Sequence, residues 1–292
     1  MARPDLLRGR IAAVVNSASG GAGAASADRM RAIFADHDLS DATVTAAAPR
    51  KIRQALLKAT EEADIICVLG GDGTLRTAAG ICGPANRLLI ALPGGTMNML
   101  AHALSGEVGW EAALTATLTD PRVRNVSGGK AGRHSFFCAA VAGAPSLWAD
   151  AREAVRGGHP VEAAKRSITA IRRADEALQY QFDDGPTGDA EAVVVMCPLV
   201  SKALKADDAC LEAAAVEPVT AIGLFSLAFH AAFADWREDP AVATSRVKRV
   251  SLVGHGRIPV ILDGERVTFG RRVTISYRAD AFRALVGAGS RT

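Results

Sequence analysis

No stretch of this chain is apolar for long enough to cross a bilayer. The most apolar one, residues 222–234, is broken by Gly223, Ser226 and His230, and a spanning helix needs about 20 apolar residues. The first residues, MARPDLLRGRIAAVV, lack both the apolar core and the small-residue cleavage site of a secretory signal. The expectation is a cytoplasmic protein whose membrane contact is peripheral, at the inner face. A dense basic run is also lacking, and 34 Lys+Arg stand against 31 Asp+Glu for a net charge of +3, which argues against a nucleic-acid binder. No C-x-x-C spacing occurs among the five cysteines at 67, 82, 138, 197 and 210. Reduced, partly buried thiols fit better than a disulfide framework. His37, His102, His134, His159, His230 and His255 show no metal-ligand spacing, so no zinc site is expected. Internal repeats and low-complexity tails are lacking too.

What is present is a 292-residue chain, 49% hydrophobic, which is comfortable for two domains of roughly 100–150 residues. Its first part alternates short β-like runs (11–16, 42–45, 64–69, 88–92) with helical stretches (24–34, 50–62, 75–82, 97–104, 110–118). Apolar strands alternating with helices predict a parallel sheet covered on both faces. After Asp120–Pro121 the character changes. Runs at 123–126, 135–141, 178–182 and 192–196 look like strands, and stronger, Val/Ile-rich runs at 246–253, 257–262 and 271–277 are separated by Gly or Pro, which together predict a mainly antiparallel β domain. Helical pieces at 161–177 and 221–236 interrupt it, and 183–189 reads as a loop. The expected division is 1–122 and 123–292, with the last residues packing back on the first domain.

Two glycine-rich turns carry the chemistry. Leu69-Gly70-Gly71-Asp72-Gly73-Thr74 follows an apolar run and opens a helix. Glycines let the backbone approach a ligand closely, amides at a helix start favour phosphate, and a carboxylate at Asp72 suits Mg2+ or its bound water. Taken alone, Gly70-Gly71-Asp72-Gly73 fits a plain strand-to-helix turn equally well. Leu92-Pro93-Gly94-Gly95-Thr96-Met97-Asn98 lies one βα unit later, with Thr96 placed to cap the next helix. Two such turns in successive units open at the same carboxyl edge of the sheet, where ligands of open α/β sheets bind.

These residues resemble the catalytic domain of diacylglycerol kinases, sphingosine kinases and bacterial lipid kinases. Val15-Asn16-Ser17-Ala18-Ser19-Gly20 resembles that family's Asn-Pro-x-Ser-Gly start, and Leu262-Asp263-Gly264-Glu265 its late Asp-Gly-Glu. The resemblance implies an α/β nucleotide-binding domain followed by a β-sandwich lipid-substrate domain, with ATP and Mg2+ as cofactors. It implies that Asn16, Thr45, the loop Gly70, Gly71, Asp72, Gly73, Thr74, Leu75 and Arg76, together with Gly95, Thr96 and Asn98, line the ATP site. Glu265 would be the general base and Asp72 a second catalytic group. From the residues alone, Asp263-Gly264 between two β runs reads as a hairpin turn. Lys205-Ala206-Asp207-Asp208-Ala209-Cys210 resembles a structural Mg2+ loop, with the Asp208 carboxylate and main-chain oxygens of Lys205 and Cys210 as ligands. Ala209 replaces the usual Gly there, and an acidic solvated turn is the alternative.

The chain departs from the family pattern at Arg76-Thr77, at Asn98-Met99 and at Gly143-Ala144-Pro145. Arg76 is suited to pair with phosphate. Leu224, Phe225, Leu227, Ala228, Phe229, Ala232 and Phe233 form a broad apolar face, for core packing or for lipid. Lys165, Arg166, Arg172 and Arg173 recur at near-helical spacing, as a solvated face or for anionic headgroups. The reading is a lipid kinase acting on a diacylglycerol-like or sphingoid hydroxyl, with a lipid substrate, a peripheral membrane surface and no nucleic acid as partners. A homodimer stays open, and so do an NAD kinase and a non-catalytic lipid or nucleotide sensor.

Overall fold

The computed structural model describes residues 5–19, 24–143, 177–216 and 242–288. The expected helices at 161–177 and 221–236, the basic row at 165–173 and the apolar face at 224–233 lie outside the described residues, Ala177 excepted. The chain divides into two compact units, residues 1–128 with 278–292, and residues 129–277.

In the first unit, β1 (Ile11–Asn16), β2 (Thr43–Ala47), β3 (Ile65–Gly70) and β4 (Leu88–Pro93) run parallel in the order β2-β1-β3-β4. The end of β16 (Arg272–Gly287) adds a further parallel strand, with Arg283 and Ala284 paired to Leu88 and Leu89. β3 is buried along its whole length, as a strand covered by helices on both faces must be. The helices are α1 (Ala24–Asp36), α2 (Ile52–Glu62), α3 (Asp72–Cys82), α4 (Met99–Ser105) and α5 (Trp110–Thr119). α2 buries Ile52, Leu56, Ala59 and Thr60, a spacing that places all four on one stripe. Truncating the fully buried Leu56 to Ala costs about 2–5 kcal/mol at such a site. The core joins Val15, Cys67, Leu69, Ile90 and Leu92 of the sheet with Met30, Phe34, Leu114 and Leu118 of the helices.

The second unit holds antiparallel strands around its own core. One six-stranded sheet has the order β12-β11-β10-β7-β14-β15, formed by β7 (Ala139–Gly143), β10 (Ala192–Met196), β11 (Leu211–Val216), β12 (Val242–Val247), β14 (Pro259–Leu262) and β15 (Glu265–Thr268). A second set pairs β8 (Leu178–Phe182) with β9 (Thr187–Ala190) and with β13 (Arg249–Val253), and β13 with the start of β16. β5 (Pro121–Ala131) and β6 (His134–Phe136) form a further pair. Phe136, Val193, Val195, Leu211, Val250, Leu252, Val260, Leu262 and Ile275 fill the space between them. This is a β-sandwich following an α/β unit.

Several expected boundaries change for local physical reasons. The run at 135–141 is two strands, because Phe137 and Cys138 donate their amides to the Asp263 carboxylate instead of to a ladder. The run at 246–253 also breaks, at Lys248, whose amide goes to the Asp183 carboxylate. The expected loop at 183–189 ends in strand β9, paired with β8. The start of α4 moves from 97 to Met99.

Candidate functional site

The parallel strands end at Asn16, Ala47, Gly70 and Pro93, so their following loops open on one edge of the first unit. There the two glycine turns touch backbone to backbone. The Gly94 amide donates to the Gly70 carbonyl at 3.0 Å. A Cβ on Gly95 would stand 2.6 Å from the Gly71 Cα, and one on Gly70 would stand 2.6 Å from Thr74 Cγ2. No side chain larger than hydrogen fits at either position without displacement.

Side chains lock this contact. Asn16 Nδ2 donates to Thr74 Oγ1 at 2.9 Å, and Asn16 Oδ1 accepts the Ala18 amide at 3.2 Å. Asn98 holds Gly95 from both ends, its Oδ1 accepting the Gly95 amide at 2.7 Å and its Nδ2 donating to the Gly95 carbonyl at 2.9 Å. It does so with φ at +52°, a left-handed conformation that Asn tolerates better than most residues. Ser19, the serine of the stretch Asn16–Gly20 and a residue outside the expected site, accepts the Gly71 amide at 3.3 Å.

Asp72 is the first residue of α3. The amides of Asn98, Met99 and Leu100 at the start of α4 lie near enough to favour its charged form, as does its own amide. Asp72 thus faces the start of the helix that follows the second turn. Burial pushes the Asp72 carboxyl above the usual aspartate range, with those amides opposing the shift. Its Oδ1 atom is buried without a hydrogen-bond partner. A buried carboxylate oxygen with no donor is the type of group a cation or its bound water satisfies. No cluster of three or more metal-ligating side chains stands among the described residues; a Mg2+ ion held by Asp72 would take its other ligands from waters and substrate phosphates. The start of α3 has Gly71 at its N-cap and no side-chain cap, leaving first-turn amides without helical partners, the donors a phosphate would accept from.

The other expected residues fall as follows. Leu75 has its side chain fully in the core. Gly73 offers its carbonyl to Thr77 Oγ1 at 2.8 Å, so the Thr77 hydroxyl is turned back onto the helix. Arg76 is half-buried and stands one turn past Asp72 on the same helix face. Thr45 is exposed on the outermost strand β2, level with Val14. Thr96 is exposed within the second turn and does not cap α4, whose N-cap is Asn98.

The remaining candidates belong to the second unit. Glu265 is the exposed first residue of β15. It follows a two-residue turn in which Asp263 and Gly264 have φ of +46° and +84°, the left-handed pair of a tight hairpin. In the acidic loop, Asp208 Oδ2 accepts the Lys205 amide at 2.9 Å and faces Arg246 Nη1 at 3.6 Å. The Lys205 carbonyl accepts the Asp208 amide at 3.1 Å. Cys210 is half-buried. This loop closes on its own hydrogen bonds, with a guanidinium beside the Asp208 carboxylate where a structural cation was expected. The residues do not fit a metal in this state.

Residues 10–131 match the family described as Diacylglycerol kinase catalytic domain. No curated protein matches the chain in sequence. Among solved structures, a candidate diacylglycerol kinase from Bacillus anthracis str. Sterne is 18% identical with a TM-score of 0.74, over 97% of this chain and 98% of that one. A diacylglycerol kinase structure from the same strain is 16% identical with a TM-score of 0.69, over the same shares of each chain. A third, again a candidate diacylglycerol kinase of that strain, is 18% identical with a TM-score of 0.70, over 94% of this chain and 96% of that one. These structural likenesses establish a shared fold. The family likeness itself rests on residues 10–131, the stretch that holds both glycine turns.

Proposed function

We propose that this chain is an ATP-dependent lipid kinase that phosphorylates a hydroxyl of a diacylglycerol-like or sphingoid lipid. The observation that carries the reading is the backbone contact of the two glycine turns, with Asp72 spanning from one to the start of the helix that follows the other. The first-turn amides of α3 hold the phosphates, Asn16 and Ser19 keep the first loop in place, and Asn98 does the same for the second. Arg76 pairs with phosphate from the same helix face as Asp72. Asp72 holds Mg2+ or its water through the oxygen that has no donor. Bound there, ATP would supply the phosphoryl group and leave as ADP, and Mg2+ would offset the charge that develops in the transfer. Glu265 takes the proton from the acceptor hydroxyl as general base. The acceptor is presented from a membrane surface, and contact with it is peripheral. No helix among the described residues is long and apolar enough to cross a membrane.

The test is incubation with radiolabelled ATP, Mg2+ and a lipid extract, with mass-spectrometric identification of any phosphorylated product. A parallel arm with NAD as acceptor is expected to stay blank. Label on NAD, or nucleotide binding with no turnover on any lipid hydroxyl, would replace the reading with one of its two rivals.

A further inference from the structure

An Asp-Gly hairpin turn ordinarily hangs in solvent. Here the Asp is turned inward. Asp263 is 2% exposed, and its carboxylate accepts three consecutive amides of a segment far away in the chain. Oδ2 takes Phe137 at 2.8 Å, and Oδ1 takes Cys138 at 2.8 Å and Ala139 at 3.0 Å. The Asp263 amide in turn donates to the Ala139 carbonyl at 2.9 Å. Phe137 and Cys138 are themselves buried, so without this carboxylate their amides would be left unpaired away from water, a costly state.

The consequence lies two residues on. β15 has four residues and is the last strand of its sheet, so it is held from one side only, by β14. Short edge strands are weakly held. The Cα register pairs Glu265 with Leu262, across a turn whose first residue is pinned to the β6–β7 junction. We propose that Asp263 is a positioning residue, which fixes the place of Glu265 by stapling the hairpin tip to the amides of residues 137–139. This rests on the reading of Glu265 as general base. Asp263 acts through the backbone and touches no reacting atom.

The structure supplies a control in the same unit. Asp183 also has a positive φ, +47°. Its carboxylate accepts the amides of Lys248 at 2.9 Å and Arg249 at 2.7 Å, and its own amide donates to the Arg249 carbonyl at 2.9 Å. It is a staple of the same kind, at the β12–β13 break, without a catalytic candidate two residues on.

The experiment compares Glu265→Gln, Asp263→Ala, Asp263→Asn and Asp183→Asn in the full chain. It measures kcat, the KM for ATP, the melting temperature, and hydrogen exchange at the amides of 137–139. Asn at 263 keeps one acceptor for Cys138 and Ala139 and sets an NH2 against the Phe137 amide, so it preserves a folded chain if the Ala variant fails. The expected result is that Asp263→Asn lowers kcat by about 10-fold or more and speeds exchange at 137, with the ATP KM within about twofold, as for a displaced catalytic group. Asp183→Asn is expected to lower the melting temperature by a similar amount and leave kcat alone. Full activity of Asp263→Asn beside an inactive Glu265→Gln overturns the positioning role while the base assignment stands. Equal loss of kcat in Asp263→Asn and Asp183→Asn overturns it also, reducing Asp263 to a fold element. An active Glu265→Gln removes the base itself and the positioning role with it.

Discussion

Gly71 and Gly95 stand so close that a methyl group on Gly95 would lie 2.6 Å from the Gly71 Cα. Two turns separated by a whole βα unit are thereby packed as one surface, with the Asn98 side chain holding Gly95 in place.

Gly95→Ala is therefore expected to cost about 1–3 kcal/mol, as overpacking does in a filled site, and to weaken ATP binding through the displaced first loop. Gly80, in the interior of α3 with nothing within 4 Å of an added Cβ, is the contrasting case. Gly80→Ala is expected to stabilise by up to about 1 kcal/mol. Thermal melts of both, with ATP titration of the first, check the pair. Equal stabilities would show that the inter-turn contact is not tight.

Asp72→Asn is expected to separate stability from activity. Burial raises the carboxyl above its ordinary range in the fold, so the folded chain binds that proton more tightly than the unfolded chain. The stability that protonation contributes is present below the unfolded aspartate pKa, near 3.9, and is lost as pH rises through the folded value. At neutral pH the charged, desolvated carboxylate is then a net cost, which the neutral Asn removes while still accepting an amide. The variant should melt at or above the wild-type temperature at pH 7, the difference should shrink toward pH 4, and lipid phosphorylation should be lost. A lower melting temperature at pH 7 would show that the charge, through the amides of α4, stabilises more than burial costs.

The thiols should be poorly reactive in the fold. Four of the five are buried, and Cys210 is half-buried. Burial pushes Cys82 up to about 12, the Arg87 charge opposing, and pushes Cys67 higher still. Burial and then the Asp263 charge raise Cys197. Since the thiolate is the reactive form, a colorimetric thiol count at pH 8 should find at most one group in the native chain, reacting slowly, and five after unfolding.

The Asp208 loop should not respond to metal. Its carboxylate already faces Arg246 and the Lys205 amide, so millimolar Mg2+ without nucleotide is expected to leave the melting temperature unchanged. A rise abolished by Asp208→Asn would restore the expected cation to this loop.

Parts of both units were legible because their signals are local. β1 of the first unit and β8 and β10 of the second begin and end where the expected runs do, since such runs are bounded by residues that leave a strand readily. β11 was not legible. Leu-Glu-Ala-Ala-Ala-Val has a helix former's composition, yet every residue of it is buried, and small side chains packed between neighbours override propensity. Its buried Glu212 is met by the Ser201 hydroxyl, a partner eleven residues away that no spacing rule points to. The split of the 135–141 run was equally hidden, because its cause is Asp263, more than 120 residues further on.

The sequence by itself determined where the chain can turn and what those turns can hold. Glycines permit close backbone approach, an Asp at a helix start offers a carboxylate, and apolar runs choose between sheet and helix through their period. Those properties belong to neighbouring residues and need no fold to be read. The tertiary structure alone decided that Gly71 meets Gly95, that Asp72 faces the start of the helix after the second turn, that Arg246 answers Asp208, and that Asp263 points inward. Each of these is a pairing of groups distant in sequence, and burial assigns such partners because every polar group taken out of water must find one.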